Sequence, residues 1–219
     1  MLFGRVGLWR AIPLIYAWFT MFEYVNNESF LTTNDMLAAI VQQNLFSRDD
    51  CAKIVALCKR FPPTSGLVNE IEGAIVNSNH RKSLVRWIPL SNQTKPIYDH
   101  ISRAVFDLNK ANWNLRLTGM IESIQFSEYE APESHFDWHL DIDTGPASLR
   151  KLSMVVQLSD ENAYEGGELT IQGLNSKIVA NRNQGNTIYF PSFLRHKVTP
   201  ITKGTRYSLV LWISGPPFE

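Results

Sequence analysis

An α+β, mainly β fold, a double-stranded β-helix (jelly roll) with N-terminal helices packed on one side, is what three features of the sequence predict. From Leu115 onward, eight short segments rich in β-branched and aromatic residues fall within about a hundred positions, most of them separated by Gly, Asn, Asp or Pro. Before them, from Thr33 to Trp113, the apolar residues recur mainly at helical spacing. No repeat, low-complexity tract or long linker divides the chain. Short strands that follow helices in this way pack as a closed double sheet with the helices on one face. The expected organisation is an apolar extension over residues 1–30 and a single domain over 31–219, with its β core at 115–215.

The elements can be justified in order. Met1 to Val25 is strongly apolar, with Arg5 and Arg10 ahead of a charge-free run from Ala11 to Phe22. That run is shorter than the ~18 residues of a membrane span and contains Pro13. No small-x-small cleavage site follows it. Three readings stay open: a packed extension, a weak signal or anchor, or an upstream start with Met21 as the true one. The first and third are favoured, and no stable membrane span is expected. Ser47 is a good N-cap, Asp49 and Asp50 complement the helix dipole, and Cys51, Ile54, Val55 and Cys58 share one helical face before Pro62-Pro63 ends the element. The two cysteines, about two turns apart, are too distant to bridge and read as buried thiols, so a cytoplasmic setting is expected. Arg81 to Leu90 reads as a strand, and about Lys95 to Lys110 as a helix with Ile97, Ile101, Val105 and Leu108 as its stripe. The β segments are Ile121–Tyr129, His135–Asp143, Arg150–Leu158, Glu168–Ile171, Lys177–Ala180, Thr187–Phe190, His196–Ile201 and Arg206–Ile213.

Composition excludes some functions. The 219 residues are 44% hydrophobic and 19% charged, an ordinary globular balance. Lys+Arg and Asp+Glu are both 21, so the formal charge is zero. A neutral chain has no general attraction to a phosphate backbone, and nucleic acid is not an expected partner.

Chemistry concentrates in two places. His135-Phe-Asp137-Trp-His139-Leu-Asp141-Ile-Asp143 alternates polar and apolar residues, so a strand would put all five polar groups on one face. Taken alone, this is as well explained by a half-buried strand with a solvated acidic face. A distant His196 opens another β segment, and ten positions later Arg206 sits in an apolar one, Gly204-Thr-Arg206-Tyr-Ser208-Leu-Val-Leu-Trp212. A His and an Asp two apart, joined by a second His from a separate strand, can fill three corners of an octahedron; this is the 2-His-1-carboxylate arrangement of non-haem Fe(II). A buried guanidinium needs an anion, and its fork matches a carboxylate, so a dicarboxylate co-substrate is the natural partner.

The order Tyr129…His139-Leu-Asp141, Arg150-x-Leu-Ser153, Gly166-Gly167-Glu168-Leu169, Phe190-Pro191-Ser192…His196, Gly204-Thr205-Arg206 resembles the Fe(II)/2-oxoglutarate dioxygenases, above all their prolyl 4-hydroxylase-like and PKHD-type members. The resemblance covers about residues 120–213. It selects between the two His-x-Asp pairs: such members place a tyrosine about ten positions before the ligand histidine, and Tyr129 precedes His139 by ten. It therefore implies His139, Asp141 and His196 as metal ligands and leaves His135 and Asp137 to the surroundings. An aspartate at 141 disfavours the halogenating branch. The resemblance also implies Fe(II) as the metal, 2-oxoglutarate and O2 as co-substrates, and ascorbate as a further cofactor. Arg206 would bind the distal carboxylate of 2-oxoglutarate, helped by Ser208, with Tyr129 near its metal-bound end. A co-substrate tyrosine found in some prolyl hydroxylases is replaced here by Gln157. The expected activity is hydroxylation of a C–H bond, in a prolyl or other amino-acid residue of a peptide or protein, with release of succinate and CO2. A catalytically inactive metal-binding jelly roll or a zinc hydrolase using the same His-Asp-His set are the alternatives. A peptide or amino-acid-type substrate is the default, and nothing between Gly66 and Gln93, the expected rim of the cleft, names it.

Overall fold

The computed structural model describes residues 40–42, 44–66, 68–70, 73–75, 77–173 and 176–217, with backbone pairing alone for the first, third and fourth of these segments. The extension expected over residues 1–30 lies outside them. The described elements run β1 (Ile40–Gln42), α1 (Arg48–Cys58), β2 (Thr64–Ser65), β3 (Val68–Glu70), β4 (Gly73–Ile75), β5 (Arg81–Lys82), β6 (Leu84–Ile88) and α2 (Lys95–Asn112). Then come β7 (Ile124–Glu130), β8 (His135–His139), β9 (Arg150–Gln157), β10 (Tyr164–Gly166), β11 (Leu169–Gln172), β12 (Lys177–Val179), β13 (Thr187–Pro191), β14 (His196–Val198) and β15 (Ile201–Ser214).

The strands form a major antiparallel sheet, in the order β1-β13-β9-β15-β7-β6-β2 with β10 beside β15, and a minor one, β12-β11-β14-β8-β5. This is the jelly roll with two N-terminal helices that the sequence predicts. A two-stranded β3–β4 ribbon stands apart from both sheets.

Alternation along the central strands builds two cores. On β15, Leu209, Leu211 and Ile213 join a cluster with Ile54 and Cys58 of α1 and Ile97, Ile101 and Val105 of α2. The intervening Arg206, Ser208, Val210 and Trp212 turn the other way and line a cavity. Strand β9 repeats the pattern, with Met154 and Val156 toward the helices and Val155 toward the space between the sheets. A central strand with helices on one face and a cavity on the other is buried on both, which explains why its sequence reads as a continuous apolar run broken by a few polar residues. The helix α1 begins with the Ser47 cap that the sequence indicates, reinforced by a reciprocal bond from the Ser47 amide to Asp50 (3.1 Å).

Several boundaries differ from the sequence reading. The nominally helical half contains β1 and a run of very short strands from Thr64 to Lys82, too short for a period-2 signal to emerge. The expected strand Arg81–Leu90 is interrupted at Ser83. Strands β14 and β15 divide at Thr199-Pro200 rather than near Ile201–Arg206, because β15 is one 14-residue strand that pairs β10 at its start and β7 and β9 further along. The expected strand His135–Asp143 stops at His139, so Asp141 lies in the loop that follows it.

Candidate metal centre and its cavity

A cavity of about 640 Å³ opens between the two sheets and is lined by His139, Asp141, His196, Tyr129, Arg206 and Ser208, among others. His139 ends β8 and His196 begins β14, and the two are cross-strand partners. From this pair β14 advances two residues to Val198, whereas β8 goes back three to Phe136, which faces Val198. The extra residue is a bulge, and it breaks the period of two. The rings of Phe136 and His139, three positions apart, therefore stack at 3.5 Å and 11°. The expectation that His135, Asp137, His139, Asp141 and Asp143 share one strand face is corrected by this bulge and by the end of β8. His135 and Asp137 do not line the cavity. The His135 ring instead meets the carbonyls of Glu133 (2.7 Å) and Asn79 (3.1 Å).

The structure brings His139, Asp141 and His196 together. One ligand atom from each lies within 4.8 Å of the others, the only such group of three or more His, Cys, Asp or Glu among the described residues. His139 Nε2 is 3.9 Å from Asp141 Oδ1, and His196 Nε2 is 3.4 Å from Asp141 Oδ2. Each imidazole is fixed from behind: Nδ1 of His139 donates to the Asp137 carbonyl (2.7 Å), and Nδ1 of His196 to the Leu194 carbonyl (3.0 Å). A carbonyl can only accept, so both Nδ1 atoms carry the hydrogen and both Nε2 atoms are turned toward the cavity, where either can serve as a metal ligand. Burial pushes the His139 pKa well below its ordinary value, and His196 beside it adds to the effect, so His139 is neutral at pH 7. Phe190 packs edge-on against His196 at 4.7 Å.

Asp141 is held from three sides. Its carboxylate accepts from the Ser153 hydroxyl (2.6 Å), its amide donates to the Ser192 carbonyl (3.1 Å), and its carbonyl accepts from Arg150 Nη1 (2.8 Å). Burial works to raise the carboxyl pKa, but His196, His139, the Ser153 hydroxyl and Arg150 outweigh it and hold the group below its ordinary value. Two imidazoles and one carboxylate with converging donor atoms fit a divalent transition metal, and the acid-rich oxygen shell expected for calcium is absent from this cluster.

Arg206 is 1% exposed. Its Nη2 donates to Gln157 Oε1 (2.9 Å), its Nη1 lies 3.5 Å from Ser208 Oγ, and its Nε has no partner among the described residues. Its guanidinium carbon is 5.5 Å from the Tyr129 ring centroid. No ion pair with a carboxylate among the described residues neutralises it, so the cavity holds a positive charge suited to an incoming acid. Gln157, at the position where a tyrosine was expected to be lacking, orients this guanidinium. The paired glycines contribute space: a Cβ at Gly167 (φ +65°) would come within 3.1 Å of Arg206 Cδ.

Two groups of cavity residues escaped the sequence reading. Arg81, on β5, is 7% exposed, bonds to Ser83 (2.9 Å) and Tyr129, and lies 4.4 Å over the Phe136 ring. A Cβ at Gly66 would fall 2.4 Å from its Nε, so the glycine keeps this space open. The sequence neighbours of Arg81 (His80, Lys82 and Ser83) are polar, so no local pattern distinguishes it from a surface arginine. The second group is Glu122, Arg150 and Trp212. Arg150 forks onto Glu122 (Nε to Oε2, 2.7 Å) and lies 3.7 Å over the Trp212 ring while it holds Asp141. No spacing rule joins these three, because they come from the bend before β7, the start of β9 and the later half of β15.

Residues 124–214, which hold most of the β core and all three converging side chains, match the model of the 2OG-Fe(II) oxygenase superfamily. Curated proteins to which the chain is similar include PKHD-type hydroxylases. A PKHD-type hydroxylase of Synechococcus sp. (strain CC9605) is 38% identical over 98 residues, 44% of either chain. One of Crocosphaera subtropica is 29% identical over 151 residues, 66% of this chain and 67% of that protein. The chain thus spans less than half of the length of the first of these and about two thirds of the second. Among solved structures, a prolyl-4-hydroxylase of Pseudomonas putida superposes with a TM-score of 0.61 at 19% identity, covering 86% of this chain and 96% of that one. A prolyl hydroxylase of Trichoplax adhaerens, in complex with a hypoxia inducible factor oxygen degradation domain peptide fragment, gives 0.64 at 18% identity, covering 85% and 86%. At these identities the structural likeness speaks for the fold.

Proposed function

We propose that this protein is an Fe(II)- and 2-oxoglutarate-dependent dioxygenase that hydroxylates a C–H bond in a prolyl or other amino-acid residue of a peptide or protein, with release of succinate and CO2. One observation carries the reading: the three convergent donor atoms and the guanidinium of Arg206 open onto the same cavity. In this reading His139, Asp141 and His196 hold the iron, and residues 31–219 form the catalytic domain. Bound there, the iron supplies sites at which the keto acid can chelate and O2 can be activated. Arg206 anchors the distal carboxylate of 2-oxoglutarate, with Ser208 beside it and Gln157 fixing the guanidinium plane. Tyr129, cross-strand from Arg206, walls the same pocket. The carbonyls of Asp137 and Leu194 keep the imidazoles in one tautomer, and Ser153 keeps Asp141 ionised. A peptide substrate is supported by the prolyl hydroxylase neighbours, one of them with a peptide bound.

Cys51 and Cys58 are buried and unpaired, which suits a reducing compartment such as the cytoplasm. No helix among the described residues is long and apolar enough to cross a membrane.

Conversion of 2-oxoglutarate to succinate, with Fe(II) and ascorbate added, tests the proposal. His139→Ala and Asp141→Ala should abolish it while leaving the fold intact. A zinc hydrolase would work with Zn(II) and without the keto acid, and an inactive metal-binding protein would form no succinate under any condition. Peptides that gain the mass of one oxygen would then identify the substrate.

A further inference from the structure

The outer face of the minor sheet carries a feature that the proposed chemistry leaves unused. Trp138, next to His139, is half-buried and lines the mouth of the cavity. Three cations surround its ring: Lys197 Nζ at 5.1 Å, Lys177 Nζ at 5.4 Å and Arg195 Cζ at 5.8 Å from the centroid. Lys177 and Arg195 are exposed and Lys197 is half-buried. The cluster is set by strand pairing. Lys177 on β12 faces Gln172 on β11, whose amide bonds the Arg195 carbonyl, and Lys197 on β14 lies beside Thr170 of β11. No salt bridge to a carboxylate among the described residues neutralises any of the three, although the chain as a whole is neutral. Like charges gathered on one sheet face repel, and their field attracts an anion to the spot. The indole offers the cations a partial counter-charge through its π face and offers a ligand a flat surface to lie on.

We propose that this patch is a docking surface for an acidic segment of the polypeptide substrate, and that it selects targets with carboxylates close in sequence to the hydroxylated residue. The inference rests on the dioxygenase reading for what enters the cavity, but the binding it asserts does not depend on turnover. Every cation lies within 6 Å of one ring, so no two are more than about 12 Å apart, a range that includes the spacing of side chains i and i+2 of an extended peptide, about 7 Å. Two acidic residues in that register can meet the lysines and the arginine together. The continuity of Trp138 with the cavity puts such a segment within a few residues of the metal site. The absence of net positive charge on the whole chain favours a short acidic peptide over a nucleic acid, which needs a longer basic track.

Binding of fluorescein-labelled twelve-residue peptides to the full chain tests this without catalysis. One peptide carries a Glu-x-Glu pair beside a central proline, a second carries Lys-x-Lys, and a single-stranded oligothymidylate serves as the nucleic-acid probe. The Glu peptide should bind at least about tenfold more tightly than the Lys peptide at low salt, and the advantage should shrink as salt is raised. K177E/K197E should reverse the preference, K177R/K197R should retain it, and peptide-free succinate formation should be unchanged in both. Equal binding of the two peptides, an acidic-peptide affinity indifferent to the charge reversal, or tighter binding of the oligothymidylate would each overturn the proposal. If the wild-type chain shows the expected peptide preference but forms no succinate, the docking surface stands and the dioxygenase reading fails.

Discussion

Replacing Arg206 by Met should move stability and co-substrate binding in opposite directions. In the free protein this guanidinium is 1% exposed, lacks a carboxylate partner among the described residues and has an unpartnered Nε. A buried cation in that state costs the fold several kcal/mol of lost hydration, offset in part by the Gln157 bond at 2.9 Å. Methionine keeps much of the apolar stem and removes the charge, at a cost of about 1 kcal/mol for the stranded Gln157 oxygen. The net should be ~0–2 kcal/mol of added stability, or a Tm raised by up to about 4–8 °C for a domain of this size. The same change removes a charge-assisted, two-point contact to the distal carboxylate, and loss of about 2–4 kcal/mol corresponds to roughly 30- to 1,000-fold weaker 2-oxoglutarate binding. Thermal unfolding with and without 2-oxoglutarate reads both effects: the variant should melt at or above the wild-type temperature alone and lose the shift that the keto acid gives the wild type. A variant that melted several degrees lower and still bound 2-oxoglutarate normally would refute the reasoning, because Arg206 would then be a structural cation with a partner inside the fold.

Other perturbations follow from the same contacts. Ser153→Ala deletes the bond that helps hold Asp141 below the ordinary carboxylate pKa; the carboxyl should titrate at higher pH, the acid limb of succinate formation should move upward, and metal affinity should fall by about 10- to 100-fold. Since folding depresses this pKa, the stability Asp141 contributes is complete above the ordinary carboxylate range and is lost as pH falls through the folded value, so Ser153→Ala should also make acid unfolding begin at higher pH. Burial raises the Cys51 and Cys58 thiols to about 11 and about 12, so neither should react with iodoacetamide at pH 8 in the native protein, and both should react in denaturant. Gly166→Ala would place a methyl 2.1 Å from the Pro200 carbonyl oxygen at φ +75°, and a loss of at least about 2 kcal/mol should appear as a markedly lower Tm.

The jelly roll could be read from the sequence because its long central strands are apolar on both faces and are separated by turn residues; β7, β9, β13 and the later half of β15 lie close to where pattern places them. The short strands before α2 could not be read, since two or three residues carry no period. The alternation in His135–Asp143 was misleading for a local reason. One bulged residue sets Phe136 against His139, and the strand ends before Asp141. Arg206 stood out as a charge among apolar neighbours. Arg81 carried no such mark, since its sequence neighbours His80, Lys82 and Ser83 are polar; its partners Tyr129, Phe136 and Gly66 are distant in sequence, and the pairing of β5 with β8 brings it to the cavity. Contacts that depend on cross-strand register, such as Arg150 with Glu122 and Trp212, leave no trace in spacing.

The most direct test of the central claim is a crystal structure of the protein loaded with Fe(II) and 2-oxoglutarate with O2 excluded. One ion is expected on Nε2 of His139, Nε2 of His196 and the Asp141 carboxylate, with the distal carboxylate of the keto acid against the Arg206 guanidinium. An ion bound elsewhere, or a keto acid lying away from Arg206, would contradict the account.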